Sequence, residues 1–245
     1  MLAPEHGADP NARSFAKTID QTALHAAVAH QWDGEMVRLL LRHGANATLP
    51  RADGRTAYAL AIRSGREDVA AVLREHGAAI ELSPRDEFLG CCMRGETSGA
   101  QRMLEANPDL PAALSAEDRK LPILAAKKGR AVALETFARV GFDLAVEGDW
   151  GEHPLHWAAW HGHAAAVRTL IASGVPLEGR DRRFCAPPLG WCAHGSEHAQ
   201  NPHGDYAAVA EALLAAGVSG VGAEGSAAVM AVIKRYAAGG RTHQS

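Results

Sequence analysis

Aromatic residues are scarce in this chain: Phe, Trp and Tyr make up only 5% of its 245 residues. A core so short of rings has to be built from Ala, Leu and Val, and apolar residues reach 47%. Those residues suit close-packed helices better than sheets. Cysteine is nearly absent too. Cys91, Cys92, Cys185 and Cys192 form no CxxC pair and no disulfide framework, which points to a reducing, cytoplasmic setting. No sign of charge dominates. The net charge is −3, acids and bases are interspersed, and no basic block stands out. That pattern argues against a nucleic-acid binder or a membrane-surface protein. No apolar run approaches the roughly 18 residues of a membrane span, and the N-terminus lacks the apolar stretch of a secretory signal. GxSxG, HExxH and GxxxxGK[ST] do not occur. The expectation is therefore no enzyme and no cofactor.

What the chain does have is a period. A glycine that ends a Leu-rich stretch recurs at Gly44, Gly77, Gly141, Gly174 and Gly217. The spacing is 33 residues between Gly44 and Gly77 and again between Gly141 and Gly174. The gap from Gly77 to Gly141 is close to two periods, with Asn107-Pro108 where the missing glycine turn would be. Each unit carries a short apolar stretch, a turn often containing glycine (Gly65, Gly95, Gly129, Gly162), then a second stretch at helical spacing such as Val167, Leu170 and Ile171. The closing glycine supplies a left-handed cap. Two short antiparallel helices and a connecting hairpin follow from this anatomy. A fixed period of this size is the mark of a repeat array, in which each unit packs on its neighbours.

Thr22-Ala23-Leu24-His25-Ala26-Ala27 and Pro154-Leu155-His156-Trp157-Ala158-Ala159 resemble the TPLHxAA signature of ankyrin repeats. Gly162-His163 resembles that family's GH turn, and His43-Gly44-Ala45-Asn46 its repeat tail. The resemblance extends to bacterial ankyrin-repeat proteins. It implies an all-α ankyrin-repeat solenoid of about six helix–turn–helix repeats, with connecting hairpin loops and a C-terminal capping helix. Helix pairs are expected near 22–43, 56–76, 86–106, 121–140, 154–173 and 187–216. The third and fourth pairs are degenerate, with Asp86–Cys92 replacing the signature and Pro122 inside or at the start of a first helix. Residues 1–13 look like the tail of a truncated upstream repeat and 14–220 hold the repeats. Residues 221–238 form a capping half-repeat, with an apolar stripe of Val229, Val232, Ile233 and Tyr236, and 239–245 a disordered tail. The sixth repeat carries a polar insertion at 196–205, expected as a surface loop.

The family likeness implies a protein partner, held by the first helices and hairpin tips, with neither nucleic acid nor membrane involved. Three first-helix positions per repeat are expected to face that partner: the one before Ala-Ala and the two after it. These positions are Leu60, Arg63 and Ser64 in the second repeat, Gly90, Met93 and Arg94 in the third, Leu124, Lys127 and Lys128 in the fourth, Trp157, Trp160 and His161 in the fifth, and Trp191, His194 and Gly195 in the sixth; of them Arg63, Arg94, Lys127, Lys128, Trp157, Trp160, His161 and Trp191 are the candidate partner-binding residues. Trp150, in the fifth hairpin, joins them. The tryptophans are candidate hot-spot anchors, and the bases would attract acidic groups. Trp157 and Trp191 have a second reading, packing against one another between repeats, which is left open. No metal site is expected; the alternative reading is a metal- or small-ligand-binding accessory protein, or an enzyme of unrecognised type, using the His/Cys/Trp-rich fifth and sixth repeats. The nearest candidates are His194, His198, His203 and Cys192, because two histidines four apart on a helix can chelate. Against this, Cys192 occupies the small-residue position matching Ala158, where a packed thiol is expected.

Overall fold

The structure is a computed structural model that describes residues 7–14, 20–199, 201–220 and 222–239. Parts of the expected N-terminal tail (1–6) and of the C-terminal tail (240–245), with Gln200 in the insertion and Val221 at the start of the cap, lie outside the described residues. Among the described residues there are helices and one isolated bridge, Pro50 to Thr56, but no strand.

The chain divides into two compact units, residues 1–91 with 103–113, and residues 92–102 with 114–245. The first unit holds α1 (Ala23–Ala29), α2 (Gly34–Arg42), α3 (Ala57–Arg63) and α4 (Glu67–Glu75). α5 (Pro84–Arg94) and α6 (Thr97–Ala106) contribute to both units. The second holds α7 (Ala116–Arg119), α8 (Leu121–Lys127), α9 (Ala131–Arg139), α10 (Pro154–Trp160), α11 (Ala164–Ala172), α12 (Pro188–His198), α13 (Tyr206–Ala215) and α14 (Ala227–Gly239).

Local chemistry explains where the helices start. Asp33, Thr56, Ser115 and Asp205 accept hydrogen bonds from backbone N–H groups in the first turns of α2, α3, α7 and α13. In α1 and α10 the signature histidine is part of the cap. His25 Nδ1 accepts from the Thr22 backbone N–H at 3.2 Å, and His156 Nδ1 accepts from that of His153 at 3.0 Å. This reciprocal arrangement is a capping box. Pro122 sits in the first turn of α8, where a missing N–H costs nothing.

The first unit closes around Leu24, Val28, Val37, Leu40, Leu60, Val69 and Leu73. A buried pair, Arg55 Nε to Asp86 Oδ1 at 2.8 Å, ties α5 to the turn before α3. In the second unit, α10 packs between α8 and α12, and α11 between α9 and α13. Ala158, Ala159, Ala166, Ala193 and Ala210 are fully buried there. Their small side chains let neighbouring helices approach closely.

The positive-φ glycines between paired helices have a second role in this unit. A Cβ on Gly95 would strike Val132, one on Gly129 would strike His163, and one on Gly162 would meet the backbone of Gly204. Each turn is thus pressed against the next repeat. The C-terminal helix α14 buries Val229 and Ile233, while Val232 and Tyr236 remain half-buried.

Two features depart from the sequence expectation. A short extra helix, α7, fills the connection before the fourth pair. The sixth repeat's first helix runs on through His198, so Ser196, Glu197 and His198 are helical and only the remainder of the insertion is loop. Gly195 did not end the helix because the tight contact it makes is tertiary: it lies against the Trp160 backbone, with no room for a Cβ.

Candidate functional site: an aromatic cavity on α10 and α12

The most distinctive chemistry in the second unit lies where α10 and α12 meet. Trp157 and Trp160 project from α10, Trp191 and His194 from α12, and Trp150 and Phe184 from the hairpins preceding those helices. Together with Arg183, Ala186 and Gly190 they line an open cavity of about 450 Å³. The sequence explains the symmetry. Residues 150, 157 and 160 recur 34 positions later as 184, 191 and 194. The same three places in two consecutive repeats therefore face the same space.

Trp191 is the floor. It is only 5% exposed, and its ring packs edge-on against Trp157 at 5.3 Å, Trp160 at 5.9 Å and Phe184 at 6.1 Å. Such edge-to-face contacts match the ring quadrupoles. The indole Nε1 donates to Asp181 Oδ2 at 3.0 Å. Asp181 is 2% exposed and also accepts from the backbone N–H groups of Arg183, Phe184 and Ala186. Burial works against its charge, but these four donors outweigh that cost and hold the carboxyl below the usual carboxylate range. One carboxylate thus fixes both the hairpin that carries Arg183 and Phe184 and the tryptophan beneath it.

The walls are exposed. Trp150 is 41% and Phe184 61% solvent-accessible. Two cations rest on the rings: the Lys127 Nζ lies 4.4 Å from the Trp157 ring centre, and the Arg183 guanidinium 4.5 Å from that of Trp150. Both are cation–π distances. Glu152 is buried beneath, accepting from the Trp150 backbone N–H at 2.9 Å and from the Trp157 indole at 3.4 Å.

Trp157 and Trp191 pack on one another and also line the cavity. His161 lies outside it. Its ring stacks on Trp157 at 6.0 Å, and its carbonyl accepts from Asn201 Nδ2 at 2.6 Å, so the insertion loop covers it. Burial, with the charges of His163, Lys127 and Lys128 nearby, lowers its pKa to about 4. Lys128 is exposed in the turn after α8. Arg94 is forked onto Glu96, with Nε to Oε1 at 2.8 Å and Nη2 to Oε2 at 2.9 Å. Arg63 belongs to the first unit and is 8% exposed. Its position in α3 is covered, as are those of Leu60 and Ser64. A groove-facing role therefore does not fit it.

The metal candidates do not converge. His194 and His198 stack at 4.1 Å, but His198 Nδ1 is bonded to the His194 carbonyl at 3.0 Å. Cys192 is fully buried with its Sγ 3.4 Å from the Tyr206 carbonyl, and burial pushes its thiol pKa up to about 12. Among the described residues no group of three or more His, Cys, Asp or Glu side chains is placed to hold a metal ion.

Family models agree with the period and the motifs. The model for ankyrin repeats in three copies matches residues 1–83, and that for a single ankyrin repeat matches 150–182. The chain is an ankyrin-repeat protein. Its fold class is the all-α ankyrin solenoid. A likeness extends to the crystal structure of the human ASB11 ankyrin repeat domain, at 22% identity and a TM-score of 0.42, covering 86% of this chain and 89% of that one. No match is found among curated protein sequences. Ankyrin repeats generally mediate protein–protein interaction. No helix among the described residues is long and apolar enough to cross a membrane.

Within this ankyrin-repeat protein, the sequence positions chosen for the partner omit Arg183, Phe184, Ala186 and Gly190, which also line the cavity. Arg180, Arg182 and Arg183 cluster in one hairpin with nothing along the chain to single out Arg183, and Phe184 carries no motif. The signal lay in the spacing of the two first helices: Pro154-Leu155 recurs 34 positions on as Pro188-Leu189, and the same shift carries Trp150 to Phe184. Gly220 to Gly225 also has GxGxxG spacing. Among the described residues no strand precedes it, so the phosphate-binding turn of that fingerprint has no scaffold there.

The signature histidine His156 gives a stability prediction. It is fully buried, and burial, reinforced by His153, lowers its pKa from 6.5 to about 4. The unfolded histidine takes up a proton below about 6.5, the folded one only below about 4. Its contribution is intact above the first value and lost as pH falls towards the second, at up to about 1.4 kcal/mol per pH unit. Chemical unfolding at pH 7 and pH 5 should show this loss, and His156→Gln should show a smaller pH dependence from a lower starting stability.

Proposed function

We propose that the protein is a non-catalytic interaction module that holds a partner protein at the aromatic cavity of α10 and α12. The observation that carries this reading is the repetition itself: two consecutive repeats place Trp150, Trp157 and Trp160, and Phe184, Trp191 and His194, around one open apolar cavity. Exposed Trp and Phe cost solvation free energy, and a pocket rimmed by them with an arginine is the composition of a binding hot spot. The polar groups of the site are engaged in structure. Asp181 is saturated by four donors, Glu152 holds backbone and indole, and the Cys192 thiol is buried. That leaves His194 as the imidazole lining the cavity, and among the described residues its ring contacts are Trp160 and His198, with no carboxylate or nucleophile paired to it, which supports binding over catalysis. Four free cysteines fit a reducing, cytoplasmic setting.

Capture of partners from cell extract tests the reading. Trp150→Ala should lose the captured protein, whereas Trp32→Ala should retain it, since Trp32 is similarly exposed, at 37%, but belongs to the first unit. Equal retention by both variants would remove the cavity from the interface.

A further inference from the structure

Which chemistry enters the cavity is written in the charges around it. Two of the indole faces that could hold a cationic ligand, those of Trp157 and Trp150, already carry Lys127 and Arg183. A third cation would be repelled by both. The carboxylates nearby are committed. Asp181 and Glu152 are buried and hydrogen-bonded, Asp149 pairs with Lys120 at 2.6 Å, and Glu147 with Arg182 at 3.2 Å. Among the described residues, neither Lys127 nor Arg183 is paired with a carboxylate. Both are exposed, so each keeps donors free while its charge lies over a ring. The cavity itself presents ring faces and edges, Ala186 and Gly190, and its volume of about 450 Å³ accommodates one bulky apolar side chain.

We infer that the cavity, read as the partner site proposed above, takes a bulky apolar side chain carried on an acidic segment of the partner, whose carboxylates lie on Arg183 and Lys127. Occupancy places a carboxylate against the outer edge of a guanidinium already stacked on Trp150, so the arginine holds ring and ligand together. The pairing is at the rim, where screening is strong. It contributes selectivity and salt dependence more than raw affinity.

The test uses the full chain with ¹⁵N-labelled indoles and three acetylated, amidated heptapeptides. The first has a central phenylalanine flanked by acidic residues, the second a central alanine in the same flanks, and the third a central phenylalanine flanked by lysines. The first peptide should shift the indole resonances of Trp150, Trp157 and Trp160 and leave that of Trp32 unmoved. Both other peptides should bind at least about fivefold more weakly, the equivalent of one rim ion pair. Arg183→Gln should weaken the first peptide by a similar factor while the free protein keeps its indole dispersion. Equal or tighter binding of the lysine-flanked peptide would overturn the acidic assignment and leave the cavity as the partner site. Equal binding of the alanine peptide, or no shift with any peptide at about 1 mM, would overturn both.

Discussion

Asp181→Ala is expected to cost about 3–5 kcal/mol and to dismantle the aromatic cavity, because one buried side chain satisfies four donors at once. Its Oδ1 accepts from the Arg183 and Phe184 backbone N–H groups at 2.8 and 2.6 Å. Its Oδ2 accepts from Ala186 N–H and the Trp191 indole at 3.1 and 3.0 Å. Alanine leaves all four without a partner. Asp181→Asn is intermediate: one oxygen keeps its two donors, while the new amide nitrogen faces two others. The readout is a lower denaturation midpoint together with a red-shifted, broadened tryptophan emission as Trp191 gains water. Because the folded carboxyl titrates below its ordinary value of 3.8, the contribution is complete above that pH and is lost as acid passes through the folded pKa. A neutral effect of the alanine variant on both readouts would mean that the hairpin is held by something else.

Gly162→Ala should destabilise by about 3 kcal/mol, well beyond the roughly 1–2 kcal/mol that a left-handed backbone costs an ordinary residue. Gly162 has φ +69°, and an added Cβ would stand 2.7 Å from Gly204 Cα and 3.0 Å from Asp205 N. Those are backbone atoms that no side-chain rotation can move. The same turn accepts the Asp205 N–H through the Gly162 carbonyl at 2.9 Å, so relief of the clash tears the insertion loop off. Gly174 is the control. It has φ +74° with open space around the missing Cβ, and Gly174→Ala should show the backbone cost alone. Denaturant midpoints at unchanged slope separate the two. Equal losses would mean that the insertion loop yields freely.

The fold was legible because its determinants are local and periodic. The glycines at Gly44, Gly77, Gly141, Gly174 and Gly217 all adopt positive φ, a conformation that excludes most other residues. His25 and His156 cap their own helices, so their position in the motif carries structural information by itself. The second half of α12 was not legible: Gly195 and Ser196 have low helix propensity, and the contact of Gly195 with the Trp160 backbone is invisible along the chain.

The candidate site was readable in part for the same reason. Trp150, Trp157, Trp160 and Trp191 stand at repeat positions, so the period brings them together. Burial of Arg63 depends on how neighbouring helices cover α3, and His161 is covered by a loop that only the sixth repeat carries. Neither fact has a local signature. Phe184 had one in the period, while the role of Arg183 emerges only once Asp181 has fixed its hairpin.

Hydroxyl-radical footprinting of the protein with and without its captured partner locates the interface. Trp150 and Phe184 are exposed in one unit and Trp32 in the other, so each reports on its own surface. Strong protection of Trp150 and Phe184 in the complex, with unchanged oxidation of Trp32, is the expected result. Protection of Trp32 with Trp150 and Phe184 still fully oxidised would contradict it.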